Sequence, residues 1–169
     1  VQLFDHMTVL ENVMVGRHRL SRAGLLAGAL QFPWTRREET EIRAKAMEAL
    51  EFVGLADRAR QSAAVLPLGL KRMLEIARAL ASAPTLLLLD EPASGLDAVE
   101  TERLQDLILE LRRQGITTLL VEHDMGLTME VADEIAVLNY GKLIADGPPR
   151  AIQKNPEVIA AYLGTDWQG

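Results

Sequence analysis

Thr85-Leu86-Leu87-Leu88-Leu89-Asp90-Glu91-Pro92-Ala93-Ser94-Gly95-Leu96-Asp97 decides how this chain is read. A short apolar run without polar alternation reads as a strand buried on both faces, as in a parallel sheet. The run ends in two adjacent carboxylates, a proline and a loop of small residues. Open α/β sheets place their ligands at the carboxyl ends of the strands. Two carboxylates there suit a hard cation and an activated water. Asp90 is placed to hold Mg²⁺ directly or through water, and Glu91 to orient or deprotonate the nucleophile. An acidic N-cap for the following helix is the plainer reading of the same pair.

Composition sets the bounds. The chain has 169 residues, a net charge of −6 and no cysteine. That length can bury a real core as one domain. Without cysteine there is no disulfide, which fits a reducing compartment. The acidic balance argues against broad nucleic-acid binding. No apolar run approaches the roughly 20 residues of a membrane helix, and no signal peptide is visible. The expected location is the cytoplasm unless a partner brings the chain to a membrane. The first residue is Val1, inside what reads as a motif, so an amino-terminal truncation is expected.

Outward from the central run, Thr8-Val9-Leu10-Glu11 fits a capping box, with a helix to about Leu20. Ser21 to Leu30 reads as helix or flexible insert, broken by Phe32-Pro33-Trp34. Thr35-Arg36-Arg37-Glu38 is a second capping box. Behind it Ile42, Ala46, Ala49, Leu50 and Val53 keep helical spacing, Gly54 suits the position after the helix, and Glu41 and Lys45 form an i,i+4 pair. A short helix is expected near Asp57 to Ala63. Another is expected from Leu70 to Ser82, burying Leu70, Met73, Leu74, Ala77 and Leu80, and stopped by Pro84. Strand 85–90, a helix over 98–114 with Leu104, Leu107, Ile108 and Leu111 inward, and strand 116–121 make a βαβ unit with parallel strands. Gly115 ends the connecting helix, and a further helix starts at Asp124. Ile135 to Leu138 and Lys142 to Ala145 flank Asn139-Tyr140-Gly141 as a hairpin. Gly147-Pro148-Pro149 opens a helical tail.

The central stretch resembles the Walker B motif and D-loop of ATP-binding cassette (ABC) ATPases. The next strand, Thr117 to Val121, ends in Glu122-His123-Asp124, and His123 looks like the ABC switch histidine. An imidazole at that sheet edge can hydrogen-bond a γ-phosphate and hold the attacking water in line. Leu66-Pro67-Leu68-Gly69-Leu70, before a helix, stands where the ABC signature, usually Leu-Ser-Gly-Gly-Gln, would stand. Only Leu66 and Gly69 are kept. The helix N-terminus and the Gly69 N–H can still face an anion, and a side chain at Gly69 is expected to enter the space of the partner's γ-phosphate. The plainer reading is an ordinary loop-to-helix junction. In the resemblance Ser94-Gly95-Leu96-Asp97 crosses a dimer interface to the partner's nucleotide, and Asp97 can cap the next helix as well.

A phosphate-binding loop would read Gly-x-x-x-x-Gly-Lys-Ser/Thr. The lone Gly-Lys pair, Gly141-Lys142, has Ala136 and Leu143 at the other positions and falls in the hairpin. The Q-loop glutamine would precede Val1, so Gln2 is not it. The resemblance therefore implies an α/β fold: a partial, P-loop NTPase-like ABC cassette with a helical subdomain and a parallel-sheet catalytic half. It divides the chain into a helical signature subdomain at 1–82, a catalytic half at 83–147 and a helical tail at 148–169. The stretch between Gly16 and Trp34 and the tail Asn155 to Gly164 look like the ATP-binding subunit of bacterial branched-chain amino-acid importers, although urea and amide importers share the tail.

That resemblance implies ATP and Mg²⁺ as cofactors. Glu91 and His123 would be catalytic, Asp90 would be on the metal, and Leu66, Gly69, Ser94, Gly95 and Asp97 would be near nucleotide. It implies as partners a second ABC ATPase subunit in a homo- or heterodimer, transmembrane permease subunits contacted by the segment with Leu3, Phe4 and Met7, and indirectly a periplasmic binding protein. Nucleic acid is not expected. The implied place is the cytoplasmic face of the inner membrane. The fragment alone is expected to be inactive. A non-hydrolysing docking or dimerisation module is the rival class. A soluble ABC ATPase of translation or DNA repair would show tandem cassettes or long coiled coils, which this chain lacks.

Overall fold

The structure is a computed structural model and describes residues 3–17 and 33–163. The Ser21 to Leu30 segment, the expected helix end at Leu20, and Val1 and Gln2 lie outside the described residues.

Helix α1 (Val9–Arg17) starts at the expected box: the Thr8 N–H donates to Glu11 Oε2 at 2.8 Å and the Glu11 N–H to Thr8 Oγ1 at 3.2 Å. The next two N–H groups of its first turn donate to Gln61 O and Ala59 O, at 2.9 and 3.0 Å. The Ala63 N–H turns away to Met7 O at 3.0 Å. These bonds divert the backbone groups that a helix over Asp57 to Ala63 would need. That stretch is instead two 3₁₀ turns, Ala56–Arg58 and Ala63–Val65.

Helix α2 (Pro33–Phe52) begins before Thr35, so the second expected box lies inside it, and Pro33 opens the helix rather than breaking a segment. The expected Glu41–Lys45 pair is not made. Lys45 instead reaches Glu48 at 2.7 Å, while Glu41 faces Arg17 at 3.7 Å. Helix α3 (Leu68–Leu80) starts two residues before the expected Leu70. Met73, Leu74, Ile76 and Ala77 are buried, and Leu70 and Leu80 are half-buried. Each large side chain so buried contributes about 2 kcal/mol. Helices α1 and α3 approach so closely that a Cβ on Gly16 would stand 2.0 Å from the Arg78 carbonyl oxygen. The Arg17 guanidinium donates to Ala81 O at 3.2 Å, complementing the negative end of α3.

Strand β1 (Leu86–Asp90) pairs in parallel with β2 (Thr117–Val121), from Leu86 opposite Thr117 to Asp90 opposite Val121. Helix α4 (Ala98–Arg113) connects them and buries Leu104, Leu107, Ile108 and Leu111, the expected stripe. Gly115 follows it with φ +79°. The expectation that β1 is buried on both faces does not hold in this chain. Leu87 and Leu89 enter the core, but Leu86 and Leu88 are 52% and 65% exposed, and Leu119 and Val121 on β2 are 57% and 56% exposed. No described segment covers that side of the pair.

Asp124 caps helix α5 (Met125–Val131) by accepting from the Leu127 N–H at 3.0 Å. Strands β3 (Ile135–Asn139) and β4 (Lys142–Gly147) form the expected hairpin, with Tyr140 and Gly141 at φ +47° and +75° in its two-residue turn. The Gly141-Lys142 pair thus lies between two antiparallel strands and not between a strand and a helix. Helix α6 (Pro149–Ile152) and helix α7 (Pro156–Leu163) pack on β4. One core joins α1 to α5 with β1. A second gathers Ile135, Val137, Ala145, Ile152 and Val158. The two strand pairs are not hydrogen-bonded to each other.

Candidate functional site

The parallel register puts the ends of β1 and β2 side by side. The Glu91 N–H donates to Val121 O at 2.8 Å, one step past the ladder. Glu91 then turns into the left-handed region, φ +44°. A non-glycine residue there is uncommon and costs of order 1–3 kcal/mol, and such strain clusters at functional sites. The turn is closed by the Ser94 N–H donating to Glu91 O at 3.1 Å. It delivers the Glu91 carboxylate off the sheet edge, 55% exposed, with Oε1 3.9 Å from His123 Nδ1. That distance is too long for a direct hydrogen bond, and it leaves both groups free to take a third partner. Asp90 is exposed at the end of β1.

Beside these lies Glu122, for which the sequence reading had no role. Its side chain is 1% exposed. Oε1 accepts from the Ala93 N–H at 2.8 Å, and Oε2 from the His123 and Asp124 N–H groups at 3.1 and 3.4 Å. Its only signal in the sequence was an acidic residue between an apolar strand and a histidine.

Asp97 caps α4 in a full capping box: Oδ1 accepts from the Glu100 N–H at 2.8 Å, and Glu100 Oε2 accepts from the Asp97 N–H at 3.2 Å. The Asp97-x-x-Glu100 spacing announced this, but Glu100 was not singled out. The loop before it packs on the α3 start. A Cβ on Gly69 would stand 2.2 Å from Glu100 Oε1, and one on Gly95 would stand 2.9 Å from Leu68 Cδ2. The space beside Gly69, expected to face a partner's phosphate, is thus filled by this chain's own Glu100. Leu66 is 5% exposed, with its side chain in the core, so only its backbone is available to a ligand. Ser94 is half-buried in the turn after Glu91. The fold therefore gathers Asp90, Glu91 and His123 at one sheet edge, and ties Gly69 to Gly95 and Asp97.

No cluster of three or more His, Cys, Asp or Glu that could hold a metal occurs among the described residues. Mg²⁺ takes one or two carboxylates and fills its shell with phosphate oxygens and water, so the exposed Asp90 fits that ion and not a metal caged by protein alone.

A parallel βαβ unit with carboxylates and a histidine at its carboxyl edge, packed with helices, is part of an α/β domain. The comparisons place it. The ABC transporter family profile matches residues 1–94, so the chain belongs to the ABC transporter family. The profile of the branched-chain amino acid ATP-binding cassette transporter matches residues 142–167. The chain is 47% identical over 165 residues to the high-affinity branched-chain amino acid transport ATP-binding protein LivG of Escherichia coli, and equally to BraF of Pseudomonas aeruginosa. These alignments cover 97% of this chain, which spans 65% of the length of the curated relatives. Among solved structures, an ATP-binding cassette of an ABC transporter in its ADP conformation superposes with a TM-score of 0.77 at 30% identity, covering 95% of this chain and 64% of that one. A dimeric cassette in a post-hydrolysis state bound to ADP and Pi gives 0.70 at 26%, covering 88% and 60%.

Proposed function

We propose that this chain is the signature and catalytic part of an ATP-hydrolysing subunit of a bacterial ABC importer, with branched-chain amino acids as the cargo. The observation that carries the hydrolytic reading is the strained Glu91, φ +44°, facing His123 across 3.9 Å at the sheet edge. The cargo rests on the likeness to LivG and BraF and on the tail profile. In this reading Glu91 accepts the proton of the attacking water or orients it. His123 donates a hydrogen bond toward the γ-phosphate, and Asp90 would hold Mg²⁺ directly or through water. When bound, Mg²⁺ supplies charge neutralisation on the phosphates.

The triphosphate needs a backbone cradle. Gly141-Lys142 sits in the β3–β4 turn and cannot supply one. The exposed Leu86, Leu88, Leu119 and Val121 face suits packing by the rest of a cassette, and the 169-residue chain alone is expected to be inactive. Ser94, Gly95 and Asp97 are read as nearing the nucleotide of a second cassette, and the dimeric relative supports that pairing. At Leu66 and Gly69 only backbone N–H groups at the start of α3 would serve the same partner, since Glu100 fills the space beside Gly69 and the Leu66 side chain is buried.

No described helix is long and apolar enough to cross a membrane. A groove of about 390 Å³ lined by His6, Met7, Glu11, Met14, Val15 and Ile42 is read as the seat of a permease segment, which would hold the subunit at the cytoplasmic face of the inner membrane. The periplasmic binding protein would act only through that permease. Residues 1–82 are read as the helical signature subdomain, 83–147 as the catalytic half and 148–169 as the tail.

The test is Glu91→Gln in the longer protein that carries a phosphate-binding loop, assembled with its permease. Turnover should fall at least about 100-fold, the scale of general-base loss, with ATP binding retained. Near-normal hydrolysis would overturn the reading.

A further inference from the structure

The buried carboxylate of Glu122 joins two loops that nothing else joins by a side-chain hydrogen bond among the described residues. Oε1 takes the Ala93 N–H, two residues past Glu91 and 29 positions from Glu122 in sequence. Oε2 takes the His123 and Asp124 N–H groups. Helix α5 does not need it as a cap, because Asp124 Oδ1 already accepts from the Leu127 N–H. The His123 ring has no short anchor: Nδ1 lies 3.9 Å from both Glu91 Oε1 and Glu122 Oε2, and the side chain is 70% exposed. The separation of Glu91 and His123 is therefore set by their backbones. Those backbones are tied by the β1–β2 ladder on one side and, on the other, by the Ala93 N–H bond to Glu122, whose carboxylate is anchored in turn by the His123 and Asp124 N–H groups.

We infer that Glu122 is a positioning residue that clamps the loop after Glu91 to the loop of His123 and so holds the carboxylate–imidazole spacing. This rests on the hydrolytic reading of Glu91 and His123. A charged acceptor on three N–H groups is well suited to the task, because charge-assisted bonds are the stronger ones and a glutamine cannot replace them all. An amide in its place turns an NH₂ group toward at least one N–H donor.

The experiment has two readouts on Glu122→Gln. In this chain, amide hydrogen exchange followed by NMR should speed up about 10-fold or more either at Ala93 or at His123 and Asp124, whichever side meets the NH₂ group, the loss of roughly one hydrogen bond. Leu89 and Leu120 within the strand pair should keep their rates. In the longer, loop-bearing protein, kcat should fall at least about 10-fold with the KM for ATP unchanged. Unchanged exchange at the three amides overturns the clamp. So does faster exchange spread over the whole β1–β2 pair, which marks a purely structural role, and so does an unchanged kcat. Glu122→Asp keeps the charge with a shorter reach. It should restore part of the lost kcat, and it carries the same measurements if the glutamine variant does not fold. Glu91→Gln run alongside separates the two ideas. Normal hydrolysis in that variant overturns the functional reading, while the exchange rates still decide whether Glu122 ties the loops.

Discussion

Gly69 and Glu100 should be thermodynamically coupled, and the structure supplies the size of the effect. A methyl group on Gly69 would stand 2.2 Å from Glu100 Oε1, 2.4 Å from its Cδ and 3.0 Å from its Cγ. Ordinary contacts lie a full ångström farther out, so the carboxylate must leave. Its departure breaks the bond from the Asp97 N–H to Glu100 Oε2, while the Glu100 N–H keeps Asp97 Oδ1. One hydrogen bond is worth about 1 kcal/mol net. Against this, alanine gains up to about 1 kcal/mol over glycine in a helix. Gly69→Ala alone should therefore be neutral or destabilising by up to about 1 kcal/mol. In a Glu100→Ala background the space is clear, and the same change should stabilise by about 0.5–1 kcal/mol. The coupling energy is the difference, about 1 kcal/mol. Urea unfolding of the four proteins with matched slopes measures it. Additivity within about 0.3 kcal/mol would show that Glu100 does not fill the space beside Gly69, and the geometric reasoning would fall.

Two further outcomes are expected. Gly16→Ala drives a methyl to 2.0 Å from the Arg78 carbonyl oxygen, a backbone atom that cannot swing away; separating α1 from α3 should cost about 1–3 kcal/mol, read as a lower urea midpoint. The Glu11 carboxyl is held below its ordinary value, first by the Thr8 backbone N–H and then by the Thr8 hydroxyl. A depressed carboxyl contributes stability above its unfolded value and loses it as pH falls through the lower folded value. Thermal melts across the acidic range should therefore show a component that Glu11→Gln removes, and identical pH profiles for the two proteins would refute that assignment.

Much of this protein was legible in its residues because local rules decide it. The Thr8–Glu11 box, the α4 stripe from Leu104 to Leu111, the helix start at Asp124 and the hairpin around Tyr140-Gly141 each depend on neighbours within a few positions and stand where spacing put them, with Asn139 drawn from the turn into β3. The Asp90-Glu91 and His123 edge was legible too, since parallel strands align their carboxyl ends and the motif names which residues stand there. Tertiary structure decided the rest. Whether Leu86 and Leu88 are covered depends on what lies across the sheet, which a run of leucines does not encode. The 3₁₀ turns at Ala56–Arg58 and Ala63–Val65 replace a helix because backbone groups around Ala59 to Ala63 bond Met7, Val9 and Leu10, about fifty residues upstream. Glu122 reaches Ala93 and Glu100 fills the space beside Gly69 only after β1, β2 and α4 have packed. Capping and periodicity act over one or two helical turns and can be read along the chain; the partners of a buried carboxylate are chosen by which distant backbone donors the fold brings within 3 Å.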